Sequence, residues 1–380
     1  MRNLYRVIVA AVLAIAGTAW CAISAQRVGP NSRAEATRIV AEMRRIVTPE
    51  GVERLQMARI GGIDQWISVR GFDRRNPILL YIHGGPGFPA MPTSWYYQRG
   101  WEEYFTVVQW DQRGAGKTYV ANDPAAVATT MTPDRMIADA EEMIGWLRRE
   151  FGKEKIFVLG HSWGSYLGLK IAMRRPEWLH AYIGMGQITD AMESERRGWR
   201  FAMDHARRSS NQEAVRELQS IAGYAQGNQP LKWKEVELQR KWLTFYGGAV
   251  RGRKRFDHEI VGTALAPEYS DADAESIWVA SDFSEEALLP TVLTVDFSAL
   301  TALKCPVILF NGRDDYNVSA SLAAEWFERL EAPLKKLIWF ERSAHDIVNE
   351  EPGKVLLSLV QVARPIAERA GDVASMSSLR

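Results

Sequence analysis

Ser162 lies in Gly160-His161-Ser162-Trp163-Gly164, between an apolar run ending at Leu159 and a helical pattern starting at Trp163. A strand, sharp turn and helix of this kind present a serine hydroxyl at the C-terminal edge of a sheet, with glycines where a side chain would collide with the turn. A serine hydroxyl is a weak nucleophile until a base takes its proton, so an oriented histidine is also needed. Of the six histidines, His83 sits in a glycine loop, His161 should point away from the turn, His180 opens a strand, and His205 and His258 fall in a helical stretch. His345, in ERSAHDI, follows the last strand-like run and precedes the last helix, where the base of such an architecture belongs. Its carboxylate partner should follow the preceding strand, and NGRDDYN offers Asp314 or Asp315 in the chain order Ser, Asp, His. Donors for a developing oxyanion are the N–H of Trp163 and the loop His83-Gly84-Gly85-Pro86-Gly87, Gly85 first and Gly84 second. The chemistry implied is acyl transfer through a covalent serine intermediate.

A second motif points elsewhere. WDQRGAGKTYV, Trp110 to Val120, contains GKT, which suggests a phosphate-binding loop. Such a loop needs a glycine five residues before its GK pair, and Asp111 stands there; the residues after Thr118 are also a poor helix start. No nucleotide is expected. No metal or other cofactor is expected either, because the histidines lack ligand spacing.

These residues need elements to hold them. PILLYIHGG, YFTVVQWDQ, KIFVLGHS and LHAYIGMGQ read as buried strands, with helices over PDRMIADAEEMIGWLRREFG and WGSYLGLKIAMRR. This alternation predicts an α/β fold: a mostly parallel, doubly wound sheet with helices on both faces. Two earlier runs, VERLQMARI and DQWISVRG, meet at Gly61-Gly62 as a hairpin, and NSRAEATRIVAEMRRIV is an amphipathic helix capped by Asn31 or Ser32. Strand patterns vanish over residues 188–288, which are helical, carry Trp199, Trp233, Trp242 and Trp278, and break at GNQP and YGGAVRG. The pattern resumes with CPVILFNG and KKLIWFER, so 29–187 and 289–380 form one core and 188–288 an inserted helical cap.

The 380 residues are 47% hydrophobic and 24% charged with net charge +1, which predicts no nucleic-acid partner. RGRKR, Arg251 to Arg255, reads as a solvated surface run with lipid headgroups as its alternative contact. Arg2 and Arg6 precede an uncharged apolar stretch over 7–26, so residues 1–28 are expected to be a signal peptide or a membrane anchor. The body would then be periplasmic, secreted or held at the membrane. Cys21 and Cys305 imply no disulfide in that body.

In order, HGGPG, WDQRGAGKT, GHSWGS, GRDD and AH resemble the prolyl aminopeptidase (proline iminopeptidase) family of α/β-hydrolases, over residues 52 to 370. The resemblance favours Asp315 as the triad acid. It also gives WDQRGAGKT a role: Asp111, Arg113 and the glycines would shape the floor of the active site. A helical cap is implied, with cap glutamates that bind the substrate's free amine, which makes a small molecule or short peptide the partner. Where the family shows Trp-x-x-aromatic-Glu, this chain has Trp242-Leu-Thr-Phe245-Tyr246, with Tyr246 at the glutamate position. Glu193 and Glu195 are the substitute anions on offer, against a plain reading as solvated helix charges. Trp163 and the cap tryptophans, Trp242 among them, would line an apolar pocket or pack the cap itself. The expected activity is release of N-terminal residues from short peptides or amides. Ester hydrolysis, peroxide formation or C–C cleavage by the same triad are alternatives, and a catalytically silent binding scaffold is the alternative of another class.

Overall fold

The computed structural model describes residues 29–224 and 231–374. The expected leader, residues 1–28, and the GNQP break lie outside the described residues. Among the described residues no helix is long and apolar enough to cross a membrane.

Eight strands form one sheet: β1 Val52–Ile60, β2 Ile63–Gly71, β3 Ile78–Ile82, β4 Thr106–Trp110, β5 Ile156–His161, β6 Leu179–Met185, β7 Val307–Gly312 and β8 Lys335–Phe340. The spatial order is β1-β2-β4-β3-β5-β6-β7-β8. β1 and β2 are antiparallel and β2 meets β4 antiparallel, while every later pairing is parallel. The hairpin turns at Gly61 and Gly62, both with positive φ, as the sequence predicts. β3 to β7 are almost wholly buried, which explains their unbroken apolar runs.

Three long helices precede the insertion. α1 (Arg33–Met43) takes its cap from the Ser32 hydroxyl, which accepts from Glu35 N–H. α2 (Pro133–Phe151) starts after Thr132 with Pro133 in its first turn and stops at Gly152 with φ 63°. α3 (Trp163–Arg174) follows the Ser162 turn. α2 and α3 pack one face of the sheet, and the residues around Trp101 and the C-terminal helix over Pro352–Ser358 pack the other.

Between β6 and β7 the chain builds α4 (Ala191–Arg208), α5 (Gln212–Ser220), α6 (Trp233–Phe245), α7 (Asp257–Thr263) and α8 (Asp271–Val292). α4, α5 and α6 enclose their own apolar cluster around Met203, Leu218, Trp242 and Leu243. α8 instead docks on the core: Ser284 donates to Gly114 O at 2.8 Å, and Lys117 Nζ lies 2.6 Å from Asp273 Oδ2.

The GKT segment is a correction. A poor helix start was expected after Thr118, yet Gly116–Val120 forms one helical turn. The Lys117 N–H at its start donates to Asp111 Oδ2 at 2.8 Å. The carboxylate standing where a phosphate loop needs glycine thus occupies the donor that a phosphate would take. Tyr269 OH binds the same oxygen at 2.5 Å.

Candidate active site

The turn after β5 holds Ser162 at φ 53°, ψ −119°, outside the usual regions for a side-chain-bearing residue. Three hydrogen bonds keep it there: Ser162 N–H to Met185 O at 2.9 Å, and Ser165 N–H and Oγ to Ser162 O at 2.8 and 2.6 Å. A Cβ on Gly160 would lie 2.2 Å from Gly164 O, and one on Gly164 2.0 Å from Ile82 O. Both glycines are therefore required by close approach of backbone to backbone.

His345 enters from the loop after β8, and its Nδ1 is 2.8 Å from Asp315 Oδ2. Asp315 is 3% exposed, so this pair sits away from bulk water. The other carboxylate oxygen accepts from Val318 N–H at 2.8 Å, which fixes the acid. Asp314 turns outward to Arg251, at 3.2 Å from Nε. Gly186, after β6, was not singled out in the sequence, yet a Cβ there would meet His345 Cε1 at 2.7 Å. Its φ of 55° and its place at a strand end were the available signals.

Gly84 faces the serine: a Cβ on it would sit 3.1 Å from Ser162 Cβ. Gly85 has φ 104°, open only to glycine. Trp163 directs its backbone into the elbow, while its side chain is buried, stacked on Tyr166 at 5.2 Å and bonded from Nε1 to Gln112 Oε1 at 3.0 Å. Gln112 also donates from Nε2 to His83 O at 3.0 Å and from its N–H to His83 Nε2. Burial lowers the His83 imidazole to about 4, so it stays neutral and Nδ1–H donates to Gly84 O at 2.9 Å. One glutamine thus braces the loop bearing Gly84 and Gly85 against the elbow.

Three expectations need correction here. His161 does not point away: its ring lies 4.7 Å from that of His345, tilted by 36°, and Nε2 contacts His345 O at 3.0 Å. Burial lowers it to about 3, with the His345 ring adding to the effect, so a neutral Nε2–H donor supports the histidine loop. Asp111 and Arg113 do not form the floor. Arg113 is buried against Asp139 at 2.8 Å and reaches Gly61 O, one layer behind the site. Trp163 does not line a pocket.

Ser162, His161, His345, Gly84 and Gly85 open onto a cavity of about 820 Å³ whose far wall is the cap. Trp233 and Trp278 line it; Trp199 and Trp242 do not, because they pack the cap interior. Glu195 lines it and is 3% exposed, which removes the solvated reading. Arg240 pairs with it, at 3.1 Å from NH1 to Oε2, and Tyr224 OH donates to it. Glu193 lies off the cavity, bound by Arg196, Arg197 and Arg200. Tyr246 is also off it, stacked near Trp242. Sequence reading missed the other cap acids that line the cavity, Asp190, Asp257, Glu259 and Glu285. Nothing in their spacing marks them.

A mostly parallel sheet, an elbow serine and an inserted helical cap define an α/β hydrolase. The chain matches the family model for the alpha/beta hydrolase fold over residues 77–315, and it belongs to that family. It is 31% identical over 311 residues to the probable aminopeptidase YbaC of Bacillus subtilis (strain 168), covering 80% of this chain and 94% of that protein. The proline iminopeptidase of Neisseria gonorrhoeae is 37% identical over 110 residues, 28% of this chain and 32% of that protein. The proline iminopeptidase structure from Mycobacterium smegmatis shares the fold at TM-score 0.59 and 17% identity, covering 83% of this chain and 100% of that one. The chain is thus a hydrolase similar to aminopeptidases and proline iminopeptidases, and the silent-scaffold alternative has no support.

Proposed function

We propose that this chain is a serine aminopeptidase of the proline iminopeptidase type, acting on short peptides or amino-acid amides through an acyl-enzyme. The observation that carries the reading is the strained Ser162 elbow opening onto the same cavity as His345, whose Nδ1 is held 2.8 Å from Asp315. Asp315 commits Nδ1 and leaves Nε2 to take the serine proton and return it to the leaving amine. The N–H groups of Gly85 and Trp163, with Gly84 as the second choice in the glycine loop, receive the oxyanion, and water then resolves the acyl-enzyme.

Recognition of a free amine needs a carboxylate that is not already neutralised. Glu195 is occupied by Arg240, Asp257 by Arg255 and Asp190 by the Glu193 N–H, so the cap acids left for the task are Glu259 and Glu285. Burial pushes Glu285 up to about 7, and burial with the neighbouring Asp346 holds Glu259 well above the usual carboxylate range. An ammonium entering the cavity would favour their charged forms. The neutralised Glu195 is also what favours the second reading, a carboxylic ester hydrolase without amine selection.

Prolyl and alanyl 4-nitroanilides beside 4-nitrophenyl acetate and butyrate, with Ser162→Ala as control, decide between the two. The expected result is nitroanilide cleavage that disappears when the substrate amine is acetylated and falls by about 10⁴-fold or more in Ser162→Ala. Ester cleavage alone selects the second reading, and equal rates in wild type and control remove both. We also propose export, with residues 1–28 as signal peptide or anchor. Recovery of the tagged full-length chain from the cytosol alone would refute it.

A further inference from the structure

Glu350 ends the short helix Ile347–Glu350 that follows His345. A carboxylate at a helix C-terminus opposes the helix dipole, so its place there is not explained by the helix. Its two oxygens serve different parts of the molecule. Oε2 accepts at 2.7 Å from the N–H of Ala344, the residue before His345. Oε1 accepts from Arg251 N–H at 2.5 Å, in the glycine-rich break after α6.

That cap segment touches both loops that carry the acid–base pair. Ala249 O accepts from His345 N–H at 2.9 Å, and Gly248 O accepts from Tyr316 and Asn317 N–H at 2.9 and 3.2 Å. The Arg251 side chain reaches Asp314 and Glu341 O. Ala249 and Val250 are fully buried, so the segment is packed between the loops rather than draped over them.

We propose that Glu350 is a positioning residue for His345: its carboxylate ties the histidine loop to cap segment 248–251, so that the imidazole is aimed only while the cap is seated and Glu350 is ionised. The inference rests on His345 acting as the base. A carboxylate accepts two N–H bonds at once, whereas the protonated acid is a weaker acceptor at one oxygen. Burial pushes Glu350 up to about 7, and Asp315 adds to this while Arg253 opposes it. The other charged groups around it are Arg251, Asp314, Asp346 and Glu351, with His345 itself. The neighbouring Glu351 makes a useful contrast. It accepts from Arg342 N–H and Ser343 Oγ at 2.9 and 2.8 Å, bracing the same loop without touching the cap.

The test compares Glu350→Gln with Glu351→Gln on the best substrate from pH 5 to 9, following kcat and KM separately. Glu350→Gln is expected to lower kcat about tenfold or more with KM within about twofold, since small misplacement of a reacting group acts on the chemical step. In wild type kcat should show a step of about tenfold on the acid side as Glu350 is protonated, since the neutral acid no longer holds both N–H groups equally. Glu350→Gln should remove that step, and Glu351→Gln should keep it. An unchanged kcat and an unchanged acid-side step in Glu350→Gln would overturn the proposal. If that variant does not fold, absence of the acid-side step in wild type overturns it equally. Full activity in His345→Ala would be a separate failure, that of the base assignment beneath it.

Discussion

The corner that holds Ser162 and His345 and the cap wall that faces them are built by opposite means. At the corner, backbone meets backbone. A Cβ on Gly312 would lie 1.8 Å from Ala344 O, bringing the loops of Asp315 and His345 together; Gly160 and Gly164 are likewise confined by backbone, and Gly186 by the His345 ring. On the cap, pairing is by long side chains: Glu195 with Arg240, Glu193 with three arginines, Glu217 with Lys241. Closely packed backbone admits one residue type and one geometry, whereas paired side chains can be exchanged and still fold. The corner therefore admits little change, and the cap is free to vary the wall it turns to the cavity.

The largest effect expected from this contrast is at Gly186. Gly186→Ala places a methyl 2.7 Å from His345 Cε1 and 2.9 Å from Nδ1, so the imidazole must move. Activity should fall about a hundredfold. Gly62→Ala is the matching control, because Gly62 also has positive φ, at 80°, but a Cβ there meets nothing within 4 Å. It should lose about 1 kcal/mol of stability from backbone strain and keep its kcat/KM. Equal losses of activity in the two variants would show that strain, not crowding at the histidine, governs the corner.

A middle-sized effect belongs to the cap. Glu195→Gln leaves the Arg240 guanidinium without its charge partner, but Arg240 is 27% exposed and water screens part of the loss. The expected cost is about 1–2 kcal/mol, read as a lower midpoint in chemical denaturation. KM should change because Glu195 lines the cavity, while kcat should stay within about threefold. A kcat collapse without a stability change would place Glu195 in the chemistry and erase the division between wall and corner.

The same division explains what could be read from the chain. The elbow, Asp315 and His345 were legible because a strand, a glycine-flanked turn and a helix leave few residue types possible at each place. The parallel strands followed from buried apolar runs and the first two from the Gly61-Gly62 hairpin. Gln112 was not legible: a loop glutamine has no spacing signature, and its partners His83 and Trp163 are 29 and 51 residues away. Burial of Glu195 depends on Arg240, 45 residues along and on another helix, so an isolated helix charge gave no hint of it. The helical turn at Gly116–Val120 was missed for a local reason, since Asp111 caps it from outside the pattern that helix signals use.

The smallest effect is expected where the resemblance to prolyl aminopeptidases suggests the largest. Tyr246 stands at the position of a family cap glutamate, yet its ring lies 6.2 Å from Trp242, 5.1 Å from Phe245 and 5.7 Å from His205, off the cavity. Tyr246→Glu would lose part of that aromatic packing, about 1 kcal/mol, and put a negative charge at the C-terminal end of α6, about 0.5 kcal/mol more. The new carboxylate would have no path to a substrate amine, so the ratio of prolyl nitroanilide to acetate ester cleavage should stay within about twofold. A tenfold rise in nitroanilide kcat/KM would mean that the cap swings far enough to bring residue 246 to the cavity. The wall would then be a moving part, and the sharp contrast between corner and cap would hold only for the closed arrangement.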